Sequence, residues 1–344
     1  MAVLMPTTIV GSLPQPDWLV NKDIMLKSQP PRVRLKTIWR VEEPFLEQAQ
    51  DDATYQAIRT QEDIGLDIIS DGEIRRESYF NRFANALGGI DIDNPAEVEG
   101  RNKTRQIVPR VIGEIRRIRP VQVRDVAYMR AVTRKPIKIT MPGPFTMMRL
   151  AKDEYYGDKR ALLMAYAKAV NEEARELKDA GADVIQLDEP FVESFVEEAE
   201  ELAVDGINRA LEGIAGPTVV HLCFGYGHYV KVEKPNTYRF LAPLNACQAT
   251  QISIEAAQPR LDPKTLDALP DKQVMVGVLD LKDHSVETPQ LVAERLRAAL
   301  THITPDRLVV APDCGMKYLP REVAYAKLRA MVAGRDIVRG EVTR

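Results

Sequence analysis

Three stretches of the chain carry residues whose types and spacing suit soft-metal chemistry: His221-Leu222-Cys223, Ser253-Ile254-Glu255 and Pro312-Asp313-Cys314. Side chains two apart on an extended strand project to the same side, so His221 and Cys223 can clamp one ion. Imidazole with thiolate suits zinc, and the Glu255 carboxylate with the Cys314 thiolate would complete a tetrahedron. Two thiolates and a carboxylate leave that centre formally anionic, which favours a zinc-held thiolate over hydroxide as the reacting nucleophile. The expected chemistry is therefore thiol chemistry. Taken singly, each residue has a plainer reading: a cysteine is more often a small buried packing residue, and a strand-end glutamate is equally a salt-bridged structural group. Their convergence on strand ends is what favours a metal. Cys247 is the internal control, since it follows a helical run without polar strand-end context and reads as packing.

A second constellation is acidic. Glu73, Asp188 and Glu189 bring carboxylates from two strand ends, a pattern suited to binding an ammonium group, to acid–base work or to a second metal. The plainer alternative is capping of a following helix, which Asp188 before Pro190 could provide. Gly11-Ser12 could offer backbone amides and a hydroxyl to a carboxylate, or be a tight turn.

The elements that must position these residues are short apolar runs alternating with amphipathic stretches. Eight runs predict strands, at 7–10, 66–70, 137–141, 184–187, 218–221, 251–254, 273–279 and 308–311. Helical patterns lie between most of them, at 159–180, 192–214, 289–301 and 321–333. Eight strands alternating with helices imply a parallel sheet, and closure into a barrel explains the number better than an open sheet does. The expected fold is a single α/β domain over 1–344, a (β/α)8 TIM barrel with its chemistry at the carboxyl ends of the strands. Residues 90–134 interrupt the rhythm with mixed charges and Val/Arg alternation, which predicts an inserted hairpin or helical excursion after the second strand.

Composition agrees with a soluble globular protein, with 45% of the 344 residues hydrophobic and 28% charged. A net charge of −3 with bases and acids interspersed gives no basic face for nucleic acid or anionic lipid, so a small-molecule partner is expected. No apolar stretch approaches the ~20 residues of a membrane span, and the expected location is cytoplasmic. Three cysteines are too few for a disulfide framework.

The ordered set Thr8-Ile9-Val10-Gly11-Ser12-Leu13-Pro14, Asp71-Gly72-Glu73, Gln186-Leu187-Asp188-Glu189-Pro190, His221-Leu222-Cys223, Ile254-Glu255 and Pro312-Asp313-Cys314-Gly315 resembles the catalytic half of cobalamin-independent methionine synthase, over residues 6–335. The resemblance implies zinc on His221, Cys223, Glu255 and Cys314, and an amino-acid substrate held by Ser12, Glu73 and Asp188. It also implies methylation of a thiol, homocysteine foremost, from methyltetrahydrofolate or a methylcorrinoid, the latter free or on a corrinoid protein. The family's proton donor follows the seventh strand, where this chain offers Lys282 and, two residues on, His284. The enzyme-class alternative is a zinc-dependent alkyltransferase of the epoxide:coenzyme M type acting on another small thiol; the class outside catalysis is a protein that merely stores structural zinc. A homo-oligomer is compatible with all three.

Overall fold

Strands form where β-branched and other apolar residues run together, and most residues of those runs are buried here. The computed structural model describes residues 3–27, 29–230 and 233–343. Its strands are β1 (Ile69–Ser70), β2 (Leu87–Glu99), β3 (Arg105–Arg117), β4 (Ile137–Pro142), β5 (Lys152–Asp153), β6 (Val184–Asp188), β7 (Thr218–His221), β8 (Gln251–Ile254), β9 (Gln273–Gly277) and β10 (Leu308–Ala311). Seven of them make one parallel sheet in the order β1-β4-β6-β7-β8-β9-β10. The segment expected as the first strand, 7–10, closes the ring between the sheet's two edges. Thr7 bridges Val310 in parallel, Thr8 N–H donates to the Val310 carbonyl, and Ile68 N–H donates to the Thr7 carbonyl, each bond at 3.0 Å.

Alternation along the strands sorts the side chains. Ile185 and Leu187 join the large core shared with the helices, whereas Val184 clusters separately with Val10, Val219, Met275, Val309 and Ala311. That smaller cluster fills the barrel interior, and Gln186 and Asp188 follow Val184 on the same side of β6. Above it sits a buried cation: Lys138 Nζ donates to the carbonyls of Ile9 (2.6 Å) and Val10 (3.0 Å) and to Gln186 Oε1 (2.5 Å). Burial lowers its ammonium pKa to about 7, against the pull of Asp188 and Glu73.

The chain between β1 and β4 holds an antiparallel hairpin of β2 and β3 and then a helix at Val123–Val132; β5, from beyond β4, adds to the hairpin in parallel with β3. Arg117 anchors the hairpin by donating to Glu173 (2.6 Å) and through both terminal nitrogens to Glu176 (2.7 Å each), on the helix Lys159–Asp179. The hairpin turn thereby comes to lie over the mouth of the barrel.

Several boundaries depart from expectation for local reasons. β1 and β9 are shorter than their apolar runs because the ladder ends before the run does. The stretch 192–214 opens with a 3-10 turn at Val192–Ser194 before the helix Val196–Leu211 begins. The last helix runs on from Arg321 to Val342, well past 333, because Arg335 and Arg339 are tied to the carbonyls of Leu4 and Met5 beneath it. Among the described residues, no helix is long and apolar enough to cross a membrane.

Candidate active site

His221 is the last residue of β7, and its ring is fixed from behind: Nδ1 meets Ser253 Oγ on neighbouring β8 at 3.0 Å. This leaves Nε2 pointing forward, buried and without a partner. Cys223 and Cys314 complete a buried group in which one ligand atom from each residue lies within 4.8 Å of the others. The hydrogen bond from Cys314, with help from His221, holds the Cys223 thiol well below the ordinary thiol range despite burial. The same bond, together with burial, pushes the Cys314 thiol up. Imidazole and two sulfurs this close, with an orphaned ring nitrogen facing them, fit a zinc ion.

Glu255 lies one residue beyond β8 and stands outside that group. Its Oε2 accepts from Lys234 Nζ at 2.6 Å, both side chains being essentially inaccessible, while Oε1 is buried without a partner. Burial holds its carboxyl well above the ordinary range, with Lys234 opposing. The loops that bear Glu255 and Cys314 are pinned together by Asp313, whose carboxylate accepts the N–H groups of Ala256 (3.0 Å), Ala257 (2.9 Å) and Gln258 (2.6 Å). Cys247 is buried but is not part of the metal-ligating group.

The acids divide into two uses. Glu189 is a cap: its two oxygens accept from the N–H groups of Phe145 (2.9 Å) and Thr146 (2.8 Å) at the start of the helix Pro144–Arg149. Asp188 accepts from Gln186 at 2.8 Å and faces the cavity, where burial first, and Glu73 in addition, raise its carboxyl pKa to about 7. Glu73 has φ +54°, the left-handed region that costs a non-glycine residue about 1 kcal/mol or more. Its Oε1 accepts from Thr140 Oγ1 at 3.0 Å, and Oε2 is buried without a partner. Gly11 makes this possible, because a Cβ there would stand 2.7 Å from Glu73 Oε1. The acidic motifs are not free of cations. Arg76 Nη2 donates to Asp71 at 3.0 Å and its Nη1 lies 3.7 Å from Glu73, and Arg75-Arg76 follows the Asp71-Gly72-Glu73 motif with only Ile74 between.

A cavity of about 300 Å³ brings together Ser12, Glu73, Asp188, His221, Cys223 and Cys314. Ser12 Oγ is buried without a partner and packs so closely on Gly315 that a Cβ there would meet it at 2.4 Å. Lys282 and His284 are exposed and line an adjoining cavity of about 250 Å³, sharing Tyr226, Val230 and Gly315 as the common wall. Sequence reasoning missed most of the wall of the main cavity, which includes Tyr79, Phe191, Phe224 and Tyr226 together with Arg32 and Arg101. The positions of Phe191 and Phe224, directly after Pro190 and Cys223, were the available signal; Arg32 and Arg101 had none.

Imidazole, two thiols and acidic side chains meet at the carboxyl ends of barrel strands, a donor set that could hold a soft metal ion. The chain belongs to the family of cobalamin-independent methionine synthases, whose model, described as "Cobalamin-independent synthase, Catalytic domain", matches residues 5–335. It is 33% identical over 341 residues to a methionine synthase of Sulfurisphaera tokodaii, covering 98% of this chain and 94% of that protein. A methionine synthase of Saccharolobus solfataricus is 32% identical over 99% of this chain and 97% of its own. Among solved structures, a B12-independent methionine synthase from Shewanella sp. W3-18-1, in complex with selenomethionine, superposes with a TM-score of 0.90 at 34% identity, covering 99% of both chains. A methyltransferase from Methanosarcina mazei, 15% identical with a TM-score of 0.62, shares the fold.

Proposed function

We propose that the protein methylates the sulfur of homocysteine to give methionine, at a zinc site made by His221, Cys223 and Cys314 with Glu255 as the fourth ligand. The observation that carries this reading is the meeting of a three-ligand soft-metal group with Ser12, Glu73 and Asp188 in one cavity. Bound zinc would lower the pKa of the substrate thiol so that it reacts as a thiolate at neutral pH. Ser253 orients the His221 ring, which leaves Nε2 as the nitrogen that would hold the metal. Lys234 neutralises one oxygen of Glu255 and leaves the other available. Glu73 and Asp188 bind the α-ammonium, and Ser12 Oγ, left without a partner, binds the carboxylate. The apolar rings keep water from competing for the methyl group. A sulfur–carbon bond forms as the bond from the methyl carbon to its carrier breaks, and the electron pair leaves with the carrier. The carrier is methyltetrahydrofolate or a methylcorrinoid. Because Lys282 and His284 lie outside this cavity, we assign them no step.

The test is a matrix of thiols against methyl donors with zinc-loaded protein, using folate monoglutamate, folate polyglutamate, methylcobalamin and a methyl-sulfonium compound. Methionine is expected from homocysteine and one carrier class. Alkylation of a simple thiol with no methionine from any donor would replace this reading with the general thiol alkyltransferase.

A further inference from the structure

The two acids assigned to the substrate's ammonium are each held by an inward-facing residue of β4. Lys138 and Thr140 alternate with Ile137, Ile139 and Met141, which join the core shared with the helices, so the two polar side chains point into the barrel. Thr140 Oγ1 donates to Glu73 directly, at 3.0 Å. Lys138 reaches Asp188 through an intermediary: its Nζ donates to Gln186 Oε1 at 2.5 Å, and Gln186 Nε2 donates to Asp188 Oδ1 at 2.8 Å. A long stem is required, because Lys138 lies in register with Val184 and Gln186 stands two residues further along β6, about 6.6 Å away.

Lys138 and Gln186 are both fully buried. An ammonium this deep is costly, and a methionine would fill the same space. Lys138 makes no ion pair among the described residues, whereas the buried Lys234 and Lys327 hold Glu255 and Glu287 at 2.6 and 2.8 Å. Lys272 and Lys317 are buried against backbone carbonyls alone. Lys138 differs from these in its third acceptor, a side chain that itself bonds a residue of the main cavity.

Donor and acceptor chemistry fixes the orientation of that intermediary. The ammonium has three N–H donors and meets three acceptors, the carbonyls of Ile9 and Val10 and Gln186 Oε1. Gln186 Nε2 then donates to the Val10 carbonyl, at 2.9 Å, and to Asp188. Turned over, the amide would set its NH2 against the ammonium and its oxygen against the Val10 carbonyl and the Asp188 carboxylate. The charge on Lys138 therefore decides that Asp188 receives a donor on Oδ1, and among the described residues no hydrogen bond occupies Oδ2. Burial raises the Asp188 carboxyl to about 7, and the Gln186 hydrogen bond and the Lys138 charge are among the forces that oppose it and favour the ionised form.

We propose that Lys138 is a positioning residue for the substrate's α-ammonium: it fixes the Gln186 amide, and the amide in turn aims the Asp188 carboxylate into the cavity. This rests on the reading of the substrate as an α-amino-acid thiol.

The test is calorimetric titration of the full, zinc-loaded chain with L-homocysteine and with 4-mercaptobutyrate, which lacks only the α-ammonium. Wild type is expected to favour homocysteine at least about tenfold. Lys138→Met and Gln186→Met should each lower that preference about tenfold with zinc content unchanged, and the double variant should lower it no further, because the two residues act in one chain. A side chain that only filled the barrel or tied its strands would weaken both thiols alike. A preference retained in Lys138→Met, or effects that multiply in the double variant, would overturn the proposal. Should Lys138→Met fail to fold, Gln186→Met decides: an unchanged preference there breaks the link to Asp188 and overturns it, and a lost preference supports it. A wild type with no preference would overturn the amino-acid reading and the proposal with it. A preference lost in both variants of a protein that makes no methionine would uphold the role of Lys138 and count against methyl transfer alone.

Discussion

Cys223→Ser and Cys314→Ser are each expected to strip the protein of most of its metal and nearly all of its activity, while Cys247→Ser keeps both. Removing even a group that only orients a ligand costs about 10–100-fold in metal affinity, and loss of a ligand itself should exceed that. A serine hydroxyl at neutral pH stays protonated and is a hard, weak donor, whereas the Cys223 thiol already sits well below its ordinary pKa through the Cys314 hydrogen bond. Cys247 is the matched control, since it is also buried but stands outside the cluster. Elemental analysis of the three purified variants, with circular dichroism to confirm the fold, reads the result directly. Full metal content in both Cys223→Ser and Cys314→Ser would dismiss the cluster as a metal site.

Glu73→Gln and Asp188→Asn should each weaken homocysteine by about ten- to a hundredfold, because a charge-assisted hydrogen bond to an ammonium contributes roughly 1.5–3 kcal/mol. Both amides are close in shape to the acids they replace and preserve the local anchoring, to Thr140 in the first case and to Gln186 in the second, so the loss reports charge. The partnerless Oε2 of Glu73 is the atom placed to accept the ammonium. Arg76 and Lys138 nearby offset part of the acidic field, which argues for the lower half of that range. Metal content should not change, and a thiol without an ammonium, such as mercaptoethanesulfonate, should bind poorly to wild type and be almost indifferent to either substitution. Thiol titration followed by calorimetry separates the cases. Equal affinity of homocysteine for wild type and both variants would remove these acids from substrate binding.

The barrel was legible because its signals are local. Each run such as Val184-Ile185-Gln186-Leu187 is apolar and short, and the residue after it falls on the face where a barrel keeps its chemistry. His221, Cys223 and Cys314 could therefore be nominated from strand ends alone. What decided the rest came from residues with no periodic or motif context. Lys234, in a loop, takes one oxygen of Glu255; Asp313 was visible in its motif, but its grip on the backbone after Glu255 depends on two loops meeting in space. The use of Glu189 as a cap was hidden for a similar reason, since the helix it caps begins far earlier in the chain, at Pro144. Arg32 and Arg101 reach the cavity from segments whose placement over the barrel follows from tertiary anchors such as Arg117 on Glu173 and Glu176. No spacing rule in the chain encodes that meeting. Lys282 and His284 show the reverse case, in which positions after a strand end open into the neighbouring cavity.

The most direct test of a thiol activated at this cluster is zinc X-ray absorption of the purified protein before and after homocysteine is added. The resting metal is expected to have two sulfur neighbours, from Cys223 and Cys314, with nitrogen from His221 and oxygen from Glu255 completing the shell. Homocysteine should raise the sulfur count to three at the expense of the oxygen. A protein that holds no zinc, or one whose sulfur count stays at two with homocysteine saturating, would contradict the assignment.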